Sequence, residues 1–148
     1  MTAITNAAVP TMGRNHSYGA NSSPIWGRAI PVAGLSEDQV KAIQKIAGFE
    51  QLPTNWDSYG SPRVSRAVID SAIDLVLTTF DFVPMRRIVP VSGGGIQFDW
   101  EMGERELEIE VRPDLNIEFL LSVDGDPVEP RKDIKSIEGL LSWLIYGR

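Results

Sequence analysis

Residues 96–111 read Ile96-Gln97-Phe98-Asp99-Trp100-Glu101-Met102-Gly103-Glu104-Arg105-Glu106-Leu107-Glu108-Ile109-Glu110-Val111. Apolar and polar residues alternate on both sides of Met102-Gly103, and alternation with a period of two sends one set of side chains into a core and the other into solvent. The stretch therefore predicts two paired strands, Ile96–Glu101 and Arg105–Val111, joined by a tight turn at Met102-Gly103. Ile117, Phe119, Leu121 and Val123 continue the apolar beat beyond a turn at Pro113-Asp114. Asp124-Gly125 is a strong two-residue hairpin signal, which adds a short strand over Asp126–Glu129. Upstream, Ile88–Val91 reads as a strand that Pro90 confines to a sheet edge. Gly93-Gly94-Gly95 reads as the turn that follows it.

Helical signals flank the strands. Ser36 and Gln39 form a capping box, with Leu35 and Val40 at the staple positions around it. Val40, Ile43, Ile46 and Ala47 share one face, so a helix is expected over Glu37–Ala47, with Gly48 as a left-handed stop. A second helix is expected from Ser65 or Arg66 to Phe80, ended by Pro84. Ile134, Ile137, Leu140, Leu141, Leu144 and Ile145 mark a third, with Asp133 as cap and Gly147 as terminator. The predicted class is α+β: an antiparallel four- to five-stranded meander sheet, packed on one face by two N-terminal helices and one C-terminal helix.

The domain expected is single, over residues 34–148. Residues 1–33 are rich in Ala, Thr, Asn, Ser, Gly and Pro without helix or strand period. They read as a mobile arm, docked locally through Ile25 and Trp26.

Composition narrows the function. The chain has 148 residues, no Cys and one His. Disulfides and thiolate zinc sites are thereby excluded. No run of eighteen apolar residues and no basic-then-apolar leader is present, so neither a membrane partner nor a secretory route is expected and a cytoplasmic setting is the default. Between Ile96 and Glu129 lie eleven acidic residues and two basic ones, a net charge of −9. The remainder holds twelve basic and nine acidic residues, net +3. A net acidic chain is not expected to bind nucleic acid directly.

Catalytic patterns are weak. Asp99, Glu106, Glu108 and Glu110 would face one another across paired strands, close enough for a metal ion or an acid/base pair. The strand holds no Lys of the kind a restriction-type nuclease site wants. His16, the one histidine, falls in the arm, where a Ser-His-Asp arrangement cannot be held rigidly. Gly93-Gly94-Gly95 lacks the Gly-Lys-Ser/Thr of a phosphate loop. No catalytic residue, metal ligand or cofactor is assigned. The expected site is a docking face for a protein partner with a basic surface: Asp99, Glu101, Glu106, Glu108, Glu110 and Glu118, with Arg105 and Arg112 neutralising part of it. Carboxylates on alternate strand residues, about 6.6–7 Å apart, also match the spacing of phosphates along a nucleic-acid strand. An inhibitor that mimics phosphate is therefore a second reading, and a carboxylate- or metal-dependent enzyme a third.

The loop Leu52-Pro53-Thr54-Asn55-Trp56-Asp57-Ser58-Tyr59-Gly60-Ser61-Pro62 adds candidates. Asp57 is expected to accept backbone N–H bonds and fix the loop and Trp56 to anchor it by burial, while Tyr59, together with Trp56, is a candidate for the partner-binding surface. Trp143 on the last helix suits an interface or the core equally. Unpaired strands at 88–91 or 126–129 leave monomer and homodimer both open.

The loop resembles an LPxxWDGYGAP-like motif of small uncharacterised bacterial proteins, in which it precedes a helix and a strand pair. Gly93-Gly94-Gly95-Ile96-Gln97-Phe98-Asp99-Trp100-Glu101 and Arg105-Glu106-Leu107-Glu108-Ile109-Glu110 resemble that family's strand pair. The likeness spans roughly residues 37–123, with Ser58 and Ser61 in place of Gly and Ala. It implies an accessory protein of bacteria or their mobile elements; a non-catalytic docking module in that setting would serve in an antitoxin-like, defence or counter-defence role. It implies no activity.

Overall fold

The computed structural model describes residues 2–4, 22–25, 28–31, 34–79 and 85–148. Its strands are β1 (Thr2–Ile4), β2 (Ser22–Ile25), β3 (Arg28–Pro31), β4 (Arg87–Val91), β5 (Gly95–Met102), β6 (Arg105–Val111), β7 (Ile117–Val123) and β8 (Asp126–Val128). The helices are α1 (Glu37–Gly48), α2 (Arg66–Thr78) and α3 (Ile137–Tyr146). Strands β4 to β8 form the expected antiparallel meander, and the protein is α+β.

The turns set the register. Gly93 and Gly94 take positive φ (97° and 101°), which places Val91 opposite Gly95 and therefore Arg87 opposite Asp99. The turn between β5 and β6 is Gly103-Glu104, with Gly103 at φ 61°. Asp124 and Gly125 both have positive φ (53° and 81°), the requirement of a primed hairpin turn. In this register Ile88, Ile96, Phe98, Trp100, Leu107, Ile109, Val111, Ile117, Phe119 and Leu121 all point to one face and are buried. Phe98 and Trp100, two residues apart on that face, stack with ring centroids 5.8 Å apart.

All three helices cover this face. The capping box of α1 is present: Ser36 Oγ accepts from Gln39 N–H, and Gln39 Oε1 accepts from Ser36 N–H. The same Gln39 donates Nε2–H to Val76 O of α2 at 3.2 Å, so one amide caps one helix and ties it to the next. A glutamate there would cap but could not donate. Ser65 caps α2 by accepting from Val68 N–H.

Three local expectations are corrected, and one left open, the place of Trp143, is decided. Gly48 is right-handed (φ −60°), because the chain runs on into a 3₁₀ turn at Phe49–Gln51 that buries Phe49. The cap of α3 is Ser136, not Asp133, which instead pairs with Arg131. Trp143 is buried in the core. Within residues 1–33, where no regular element is predicted, three short strands occur. β2 and β3 pair with each other, and β1 joins the main sheet. β8 is only long enough to pair with residues 121–123 of β7, and β1 takes residues 117–119 of the same strand. The edge of β7 is thus shared by two strands, and this tertiary demand overrides a weak local pattern. His16, Trp26, Phe80 and Pro84 lie outside the described residues.

Candidate functional site: the outer face of the sheet

The face turned away from the helices carries the six predicted carboxylates. Asp99 and Glu101 stand on β5, Glu106, Glu108 and Glu110 on β6, and Glu118 on β7. Each glutamate of the middle strand faces another carboxylate directly: Glu106 faces Glu101, Glu108 faces Asp99, and Glu110 faces Glu118. Like charges directly opposite across a sheet are destabilising.

The cations are arranged unevenly around these pairs. Arg86 Nη1 lies 2.6 Å from Glu101 Oε2, Arg87 Nε 2.6 Å from Asp99 Oδ2, and Arg112 Nη1 2.9 Å from Glu118 Oε1. In every pair it is the flanking carboxylate that takes the arginine. Glu106, Glu108 and Glu110 have no ion pair among the described residues, so each triad of two carboxylates and one guanidinium keeps a net charge of −1. Three such charges lie in a row along β6, about 6.6–7 Å apart.

Secondary contacts hold the row in place. Gln97 donates Nε2–H to Asp99 Oδ1 (2.8 Å) and to Glu108 Oε2 (3.3 Å). Glu110 lies over Gly95, where a Cβ would come within 2.8 Å of Glu110 Oε1. Burial pushes the Glu108 carboxyl above the usual glutamate range; the Asp99 and Glu106 charges add to this and Arg87 opposes it. Burial also raises Glu110, opposed by Arg112 and assisted by Glu118 and Asp114. Asp99 is itself buried, 8 % exposed.

A recess of about 360 Å³ opens on this face, lined by Arg86, Arg87, Asp99, Glu106 and Glu108. Trp100 and Leu107 also line it, although their side chains are buried on the helix side of the sheet. Among the described residues no group of three or more acidic or histidine side chains is arranged to hold a metal ion.

Arg105 is not part of this face. It has the parity of Leu107 and Ile109 and reaches the end of α3, donating Nε–H to Leu144 O and Nη2–H to Ile145 O, both at 2.8 Å. A cation there meets the negative end of the helix dipole. Gly147 (φ 72°) completes the arrangement, since a Cβ would collide with the Arg105 guanidinium. The sequence expectation that Arg105 neutralises the acidic face is therefore wrong. Arg86, Arg87 and Gln97 were missed. Counting residues back from the glycine turn would have placed Arg87 opposite Asp99 and exposed the pairing.

The Trp56–Tyr59 loop lies at the end of the sheet where β4 turns into β5. Asp57 is its hub. Asp57 Oδ1 accepts from Tyr59 N–H (3.0 Å) and Ser61 N–H (3.2 Å), and Oδ2 accepts from the hydroxyls of Ser61 (2.5 Å) and Ser92 (2.6 Å). Ser61 Oγ in turn accepts from Gly93 N–H at 2.7 Å. These donors, led by the Ser61 and Ser92 hydroxyls, hold the Asp57 carboxyl well below the usual carboxylate range. Asn55, Ser58 and Gly60 take positive φ, and Asn55 Oδ1 accepts from Gly60 N–H. Tyr59 stands out from this frame, 90 % exposed. Trp56 is half-buried, with its indole N–H sealed from solvent and without a hydrogen-bond partner among the described residues.

No protein family, curated protein or solved structure compared with this chain matches it. Among the described residues, no helix is long and apolar enough to cross a membrane.

Proposed function

We propose that this protein is a non-catalytic binding module that docks a protein partner through the outer face of β5, β6 and β7. The observation that carries this reading is the row Glu106, Glu108 and Glu110. Three carboxylates face three others, and the three arginines that reach them among the described residues are engaged by the opposite members. The fold gains nothing from such a row, because unpaired like charges across strands oppose folding. A basic protein surface would supply the missing countercharge and be steered to it over long range. Tyr59, presented on a rigid loop at one end of the sheet, is suited to be a peripheral contact. An accessory role in bacteria or their mobile elements, antitoxin-like or in defence or counter-defence, fits a small binding module of this kind.

Phosphate mimicry is the second reading, favoured by the spacing of the row. It assigns the partner a nucleic-acid-binding surface.

Pull-down from the source cell with the full chain, followed by mass spectrometry, tests the docking reading. A basic partner released by moderate salt is expected. The triple reversal E106K/E108K/E110K should abolish capture while leaving the circular dichroism spectrum unchanged. Capture that survives the reversal would overturn the reading, and a captured nucleic-acid-binding protein would favour mimicry.

A further inference from the structure

Beyond the docking reading and independent of it, we infer that this chain associates with a second copy of itself head to tail, the Leu115 turn of one copy seating in the apolar groove beside Trp143 of the next. Three observations lead there.

The exposed apolar residues sit at the two ends of the sheet. Among the described residues three large hydrophobic side chains are exposed: Tyr59, Leu115 and Tyr146. Val111 faces both Ile96 and Ile117, so the Leu115 turn shares one end with the turn between β4 and β5 and with the Tyr59 loop. Tyr146 closes α3 at the other end, where Arg105 holds the last carbonyls of the helix.

Leu115 is held outward at a cost. Its φ is 68°, and the other non-glycine residues with positive φ, Asn55, Ser58 and Asp124, are polar. Asparagine and aspartate take left-handed backbone readily, whereas leucine meets a steric penalty there. Leu115 gains no burial in return, being 48 % exposed. The turn fixes it in place: Leu115 N–H donates to Arg112 O, Arg112 N–H to Asn116 O, and Asn116 N–H to Asp114 Oδ1. Backbone strain that the monomer does not use points to function.

The far end offers the matching recess. A groove of about 620 Å³ is walled by Trp143 and by the half-buried Met102, Val123 and Ile145, with Glu104 and Arg105 also lining it. Neither Glu104 nor Arg105 has an ion pair among the described residues. The Leu115 turn carries Arg112 and Asp114, so each side presents one charge of either sign. Arg112 is engaged by Glu118 at 2.9 Å and lies 4.0 Å from Asp114, which leaves Asp114 the better partner for Arg105. The length of β6 separates turn from groove, about 20 Å at about 3.4 Å per residue. A chain therefore cannot fill its own groove, and the contact joins different patches on two copies. A two-fold contact of tip against tip would set leucine on leucine and leave the groove empty.

The test is sedimentation equilibrium of the full chain over rising concentration. One buried leucine and one charge pair give association on the order of 1 mM. The weight-average mass should climb above 16.3 kDa as that range is approached. L115D should stay monomeric throughout and melt no lower than the parent, because aspartate tolerates the left-handed turn. The groove is read by adding unlabelled parent protein to isotope-labelled L115D, whose turn is disabled and whose groove is intact. Amide shifts should move at Met102, Glu104, Val123 and Ile145. A parent that stays monomeric into the millimolar range overturns the inference, and so does association that survives in L115D. If L115D is monomeric but its groove residues do not shift, the contact is tip to tip and the head-to-tail inference fails. No outcome bears on the outer face.

Discussion

Two groups of carboxylates occupy opposite extremes in this protein. Asp57 receives four hydrogen bonds from backbone and hydroxyl donors and is held charged below the usual carboxylate range. Glu106, Glu108 and Glu110 face other carboxylates without an ion pair among the described residues, and two of them are pushed above the ordinary glutamate range. The first arrangement stabilises a loop. The second opposes the fold that carries it, and the proposed docking role would account for it. An acidic residue in a sequence says nothing about which of these it will be; the donors around it decide.

The largest effect should come from the satisfied group. D57A removes both acceptor oxygens at once and leaves the amides of Tyr59 and Ser61 and the hydroxyls of Ser61 and Ser92 without their acceptor. The thermal midpoint should fall clearly, and amide exchange at Tyr59, Ser61 and Gly93 should speed up. D57N, which keeps one oxygen, should fall less. The depressed carboxyl contributes stability that is fully present above the ordinary aspartate pKa of 3.8 and is lost only in strong acid. If D57A melts like the parent, the loop is not organised by this residue.

The row Glu106, Glu108 and Glu110 should respond in the opposite direction. E106Q/E108Q/E110Q removes three cross-strand repulsions and should raise stability at neutral pH by about 1 kcal/mol, read by denaturant unfolding, while abolishing capture of the partner. A loss of stability would mean that the row is structural, and the contrast with Asp57 would disappear.

E108Q alone should give about 0.5 kcal/mol at neutral pH, and its pH dependence fixes the cause. A glutamate whose pKa is raised on folding binds its proton more tightly in the native state. Its stabilising contribution is present below the unfolded value of 4.5 and is lost as pH rises through the raised folded value. The gain from E108Q should therefore vanish below about pH 4.5, where Glu108 is already neutral. A gain that persists in acid would point to packing rather than charge.

Y59A should have the smallest effect, within about 0.5 kcal/mol of the parent, because the side chain is exposed and the loop is held by Asp57 and Asn55. Reduced partner capture at unchanged stability would extend the binding surface to this end of the sheet.

Much of the fold was legible because it rests on local periodicity. The beat of Phe98, Trp100, Leu107, Ile109, Phe119 and Leu121 assigned the sheet and its core face, and the capping box at Ser36 and Gln39 located the first helix to within a residue. What was illegible had a distant cause. β1 forms because half an edge of β7 is otherwise bare. Gly48 continues right-handed because Phe49 has a core to enter. Gly95, read as the last residue of a turn, is a strand residue over which Glu110 lies.

The candidate site divides in the same way. The sequence by itself determined that six carboxylates share one solvent-facing side of a sheet, since a period of two leaves no other choice. Only the tertiary structure decided which of them are neutralised. Arg105 and Glu106 are adjacent in the chain, yet strand parity turns the arginine to the helix side, where the end of α3 takes it. Arg86 and Arg87 reach the face from the residue before β4 and from its start, and Arg112 from the turn after β6, and they stop at the flanking carboxylates. A guanidinium pairs with whatever acid the register places within a few ångströms, and register is a property of the assembled sheet.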